Sequence, residues 1–157
     1  MKKRTMRNWF IFLFVIGVVI GFLIPWDIWD AVEETQKNGF QSSVIDVANK
    51  FGQLETVTDN FDYSIVSGSD DMSAMLLRLK GKIAMHVHPD ENHILFIYRG
   101  KVKAMIGGTP YDLEPGSLVT IPAKAVHSIE KVGDMPAEII VIAQPPSDPK
   151  DIKYVQE

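Results

Sequence analysis

The chain has 157 residues, 46% hydrophobic and 23% charged, enough for one compact domain with extras and too few for two of ordinary size. That composition excludes a largely disordered tail and a polybasic nucleic-acid binder, and the absence of cysteine excludes disulfides, thiolate metal sites and cysteine nucleophiles. The formal net charge of -4 hides an asymmetry, because Lys2, Lys3, Arg4 and Arg7 crowd the amino terminus and leave a distinctly acidic body behind them.

From Trp9 to Trp26 the chain reads WFIFLFVIGVVIGFLIPW, without a charge. A helix of that length rises about 27 Å, close to the hydrocarbon thickness of about 30 Å. Residues 1–27 are therefore expected to form an N-terminal transmembrane anchor. The basic cluster predicts a cytoplasmic amino terminus, a single pass and an extracytoplasmic body. The alternative is a cleaved signal peptide and a secreted product. Against it, no A-x-A-like pair follows the apolar stretch: Ala31 has Trp29 two places before it, and Gly21 is followed by FLI.

Residues 28–60 read as a helical connector. Asp27 can cap a short helix through DIWDAVEETQK. A second is predicted by Ser43 with Asp46 three residues on, an imperfect capping box, and by Val44, Ile45, Ala48 and Phe51 at one-face spacing, with Gly52 as the stop. These helices are expected to cover the mouth of the following domain or bridge it to the membrane.

From about Phe61 the pattern changes to short apolar runs broken by turn residues. Strands are predicted near 62–67, 73–79, 82–88, 93–99, 101–106, 117–121, 126–131 and 137–143. Turn signals separate them, among them Arg99-Gly100, Gly107-Gly108, Glu114-Pro115-Gly116 and Gly133-Asp134. The fold class is all-β, a two-sheet jelly roll over 61–145. Residues 146–157, rich in proline and charge, are expected to be an irregular tail.

All four histidines of the sequence fall between 86 and 127, inside this strand-rich part. His86 and His88 are two apart on a predicted strand and so leave it on the same face, as two ligands of one metal require. Pro89 ends that strand, PDEN makes the turn, and His93 leads an inward row with Leu95 and Ile97 on the next. His127 follows the turn at Pro122, and a sheet closed on itself can bring it across.

The stretch Gly81-x4-His86-x-His88-x4-His93-x6-Gly100 resembles the first motif of the cupin superfamily, and Gly116-x5-Pro122-x-Lys124-x2-His127 resembles the second. The sequence departs from the pattern in four places. Gly81 is one residue close, Lys124 replaces a glycine, Lys131 replaces a final asparagine, and His93 replaces the motif's glutamate. The resemblance implies a double-stranded β-helix, the cupin barrel, with His86, His88, His93 and His127 as the ligands of a divalent transition metal. It ranks iron or manganese first, with copper, zinc or nickel also suited to imidazole. It also implies a small-molecule ligand and a homodimer formed through barrel edges.

Four neutral imidazoles leave the charge of a divalent metal uncompensated, which favours Lewis acidity and anion binding. The function read from this is a membrane-tethered metal-binding cupin, with oxidoreductase chemistry of the dioxygenase type on a small anionic or enolisable substrate. The alternative is a non-catalytic small-molecule or metal-binding or sensing module. No catalytic residue is assigned. Asp90 and Glu91 read as solvated turn carboxylates, Lys124 as a solvated rim lysine, and Tyr98 falls on the outward parity. No motif or basic aromatic surface for nucleic acid is present.

Overall fold

Alternation of apolar and polar residues gives each strand one face to bury, and two such faces closing on each other make the core. The computed structural model describes residues 43–148 and 151–155. The apolar stretch 9–26 and the helix expected after Asp27 lie outside the described residues. Among those described, no helix is long and apolar enough to cross a membrane.

Among the described residues, ten strands follow one helix: β1 (Phe61–Gly68), β2 (Ser73–Leu79), β3 (Lys82–Val87), β4 (Asn92–Arg99), β5 (Lys101–Ile106), β6 (Thr109–Leu113), β7 (Leu118–Ile121), β8 (His127–Val132), β9 (Ala137–Gln144) and β10 (Lys153–Tyr154). They form two five-stranded sheets, ordered β1-β2-β9-β4-β7 and β10-β3-β8-β5-β6. Every pairing is antiparallel. This is a jelly roll. Leu77, Leu79, Leu95, Ile97, Ile139 and Val141 of the first sheet meet Ile83, Val102, Ala104, Leu113 and Ile129 of the second in one buried cluster. Each large aliphatic side chain so buried contributes about 1.5–3 kcal/mol.

The eight predicted strands all form, and two more appear. β6 carries Pro110 and is exposed at every position but Leu113. Its alternation is too weak to read, and the proline is tolerated because β6 is an edge strand paired only to β5. β10 corrects the expectation of an irregular tail. Lys153 and Tyr154 pair with Val87 and His86, and the Val155 N–H donates to the Met85 carbonyl at 2.9 Å.

The helix, α1 (Val47–Gly52), differs from the prediction in its start. Asp46 is the N-cap itself, its carboxylate accepting from the Asn49 N–H at 3.1 Å, so Ser43 caps nothing and Val44 is fully exposed. Nor does α1 cover a mouth. It packs against the outer face of the first sheet, where the wholly buried Phe51 stacks on Tyr98 at 5.7 Å and its carbonyl accepts from the Arg78 guanidinium.

Candidate metal centre

His86 and His127 come from the second sheet, His88 from the turn just after β3 and His93 from the first sheet, so the site lies between the sheets at one end of the barrel. His127 opens β8 and stands directly opposite His86 of β3, their rings 4.1 Å apart. The β3–β8 register slips between Ile83 and His86. Such a bulge re-aims side chains, and here it lets both Ile83 and His86 point inward although they are three apart. His88 lies just past the end of β3, its carbonyl held by the Lys124 N–H at 2.8 Å. His93 comes across from β4, where it heads the buried row His93, Leu95, Ile97, and its ring is 4.3 Å from that of His88.

The imidazoles are prepared in the way metal ligands are. His86 Nδ1 donates to the Ala84 carbonyl at 2.7 Å and His127 Nδ1 to the Ala125 carbonyl at 2.8 Å, which leaves Nε2 of each as the lone-pair nitrogen. Burial pushes the proton affinity of His86 down. It also lowers the His88 pKa to about 3, helped by the neighbouring charges of His93, His86 and His127. Burial lowers His127 to about 4, opposed by the Ala125 hydrogen bond and aided by His86 and His93. These three rings are therefore neutral at ordinary pH, the form that coordinates a metal.

Ligand atoms of His86, His88 and His127 lie within 4.8 Å of one another, and so do those of His88, Glu91 and His93. Donors sharing one ion with bonds of about 2.1 Å are about 3–4.2 Å apart, so small adjustments would close either set on a metal. The donor chemistry fits a divalent transition ion, and His88 Nδ1, buried without a hydrogen-bond partner, is the kind of orphan that such a site satisfies.

Glu91 overturns the expectation of a solvated turn carboxylate. It is only 2% exposed, its Oε2 accepts from His93 Nε2 at 2.7 Å and its Oε1 from the Asp148 N–H at 2.6 Å. The signal was available in the strand parity it shares with His93. Its neighbour Asp90 is exposed as expected, as is Lys124.

Above the histidines lies a cavity of about 200 Å³ with mainly apolar walls, including Met75, Leu77, Leu95 and Val141 from one sheet and Ile83 and Ile129 from the other. The tail closes one flank. Ser147, Asp148, Ile152 and Tyr154 all line the cavity, with the Tyr154 ring 6.0 Å from His86. Nothing in the sequence pattern of the tail announced this role.

Residues 75–143 match the family described as Cupin domain. Over 85 residues the chain is 22% identical to an uncharacterised protein, MJ1618, of Methanocaldococcus jannaschii, spanning 54% of this chain and 68% of that one. Among solved structures, KdgF from Halomonas sp. superposes with a TM-score of 0.59 at 19% identity, over 69% of this chain and 96% of that one. An RmlC-like cupin from Shewanella frigidimarina gives 0.53 at 15%, over 59% and 82%. At such identities the structural matches show the fold alone.

Proposed function

We propose that this cupin-fold chain is a membrane-tethered metal protein. Its histidines, His86, His88, His93 and His127, hold a divalent transition ion, iron or manganese by resemblance, against which a small organic ligand docks. The observation that supports the reading is that imidazoles from both sheets line one apolar cavity, with ligand atoms close together in two sets, His86, His88 and His127, and His88, Glu91 and His93. A bound ion would supply Lewis acidity there, lowering the pKa of a chelating group on the ligand.

The chain's own residues supply the rest. At about 200 Å³ the cavity falls below the roughly 300–1,000 Å³ of pockets for drug-sized molecules, so it suits a small ligand. Its aliphatic walls suit an apolar body, and Ile152 and Tyr154 line one flank. A ligand with one enolisable or chelating head on a compact apolar body matches this lining. Dioxygenase-type oxidation of such a substrate is the reaction class we assign.

Full-length protein loaded with iron, manganese or copper is mixed with small catechols, β-diketones and enediols, and oxygen uptake is followed. Metal-dependent uptake that disappears in His86→Ala is the expected result. Tight ligand binding with no oxygen consumed under any metal would sink the oxidoreductase reading and favour the non-catalytic binding module.

A further inference from the structure

In the motif that this chain resembles, a glutamate stands where His93 does, so a centre built from the four histidines alone carries no negative charge. A carboxylate is nevertheless present. Glu91, two residues earlier and on the same face, reaches the cluster from the turn before β4. One of its oxygens is fixed by the Asp148 N–H at 2.6 Å, which leaves Oε2 aimed at the histidines, 2.7 Å from His93 Nε2 and 3.9 Å from His88 Nδ1.

We propose that Glu91 is itself a ligand of this centre, its Oε2 restoring the carboxylate donor that position 93 no longer provides. The inference rests on the metal-centre reading above and deepens it. A buried carboxylate is costly unless a positive partner compensates it. The hydrogen-bond contact of Oε2 is with His93, and it cannot persist if His93 Nε2 coordinates. A ligating nitrogen directs its lone pair at the metal and has no proton to donate. Once that proton is gone, two acceptor atoms 2.7 Å apart repel each other, unless a cation lies between them. Neighbouring donors on one ion with bonds of about 2.1 Å sit about 3 Å apart, nearly the separation found here. The carboxylate is thus already at ligand spacing from His93, and its other oxygen is anchored so that it stays there.

The consequence is a donor set of imidazoles plus one carboxylate, with a net charge one unit lower than imidazoles alone would leave. Oxygen donors suit harder ions, so this centre favours iron or manganese over copper more than four imidazoles would. It also attracts anionic ligands less.

The test uses metal-free full-length protein in detergent, titrated with Co2+ by calorimetry and visible absorption, beside Glu91→Gln and His86→Ala. Expected are a loss of Co2+ affinity of tenfold or more in E91Q and a changed d–d spectrum. In unsubstituted protein, addition of Co2+ shifts a carboxylate stretch in the infrared difference spectrum, and E91Q lacks that shift. The infrared measurement on the unsubstituted chain stands even if E91Q folds poorly. Equal affinity and identical spectra for wild type and E91Q, with binding lost in His86→Ala, would overturn the role of Glu91 and leave the metal centre standing. No Co2+ bound by the unsubstituted protein would overturn both.

Discussion

Lys124 occupies the position at which the motif has glycine, and its φ of 68° shows why glycine is usual there. The left-handed conformation turns the Lys124 N–H onto the His88 carbonyl, so this residue ties the loop before β8 to the chain that carries two of the histidines. An L-residue with a Cβ in that region costs about 1–2 kcal/mol. Lys124→Gly relieves the strain but gives the unfolded chain more freedom, about 0.5–1 kcal/mol of opposing effect. The expected net is a gain of up to about 1 kcal/mol in unfolding free energy, read from the urea midpoint at unchanged slope. A lower midpoint would show that the lysine side chain contributes contacts of its own. Gly100 is different: its φ is 76°, and a Cβ there would come within 2.7 Å of the Ala137 Cα, so space as well as angle demands glycine.

At the scale of elements, legibility followed burial. β2, β4 and β9 alternate or run apolar because each buries a face in the core, so their extents could be read almost to the residue. β6 and β10 bury almost nothing and left no pattern. The bulge in β3 was hidden for another reason: a two-residue period places His86 and His88 on one face, but it cannot report the slip that also turns Ile83 inward. The histidines were legible through spacing, whereas Glu91 was obscured by the turn-like PDEN around it, which reads as solvated until the tail and His93 cover it. The helix was half-legible. Its one-face spacing marked Phe51 correctly but misplaced the cap, because Asp46 serves equally well as N-cap or N3 in such a short segment. Since Phe51 is wholly buried and stacked on Tyr98, Phe51→Ala is expected to lower stability by about 3–5 kcal/mol. The cavity and its histidines lie on the other side of the sheet, so metal affinity at a temperature where the variant stays folded is expected to remain within about twofold. A large fall in affinity would mean that α1 communicates with the site.

For the whole molecule, the buried histidines couple protonation to folding, and a metal held by them would be coupled to both. In the folded metal-free protein His88 and His127 take up protons only near pH 3 and 4, against 6.5 when unperturbed, and His86 is shifted the same way. Between about pH 6.5 and these lower values the unfolded chain binds more protons than the folded one, so the three rings make stability rise with pH across that window. Their contribution is fully present above the unperturbed value and is lost as pH falls through the folded ones. A metal held by the proposed site would add to this from one side only, since the histidines are brought together in the folded chain: at a hundredfold excess over the dissociation constant it would stabilise by about 2.7 kcal/mol. Because protons compete for the folded rings only at acidic pH, that increment is expected to survive well below pH 6, where an exposed histidine cluster would already be releasing its ion. Thermal melts from pH 4 to 8, with chelator and with excess Zn2+, measure both effects. Should the metal increment vanish near pH 6.5, the rings titrate as ordinary solvated imidazoles, and the buried centre described here does not exist in solution.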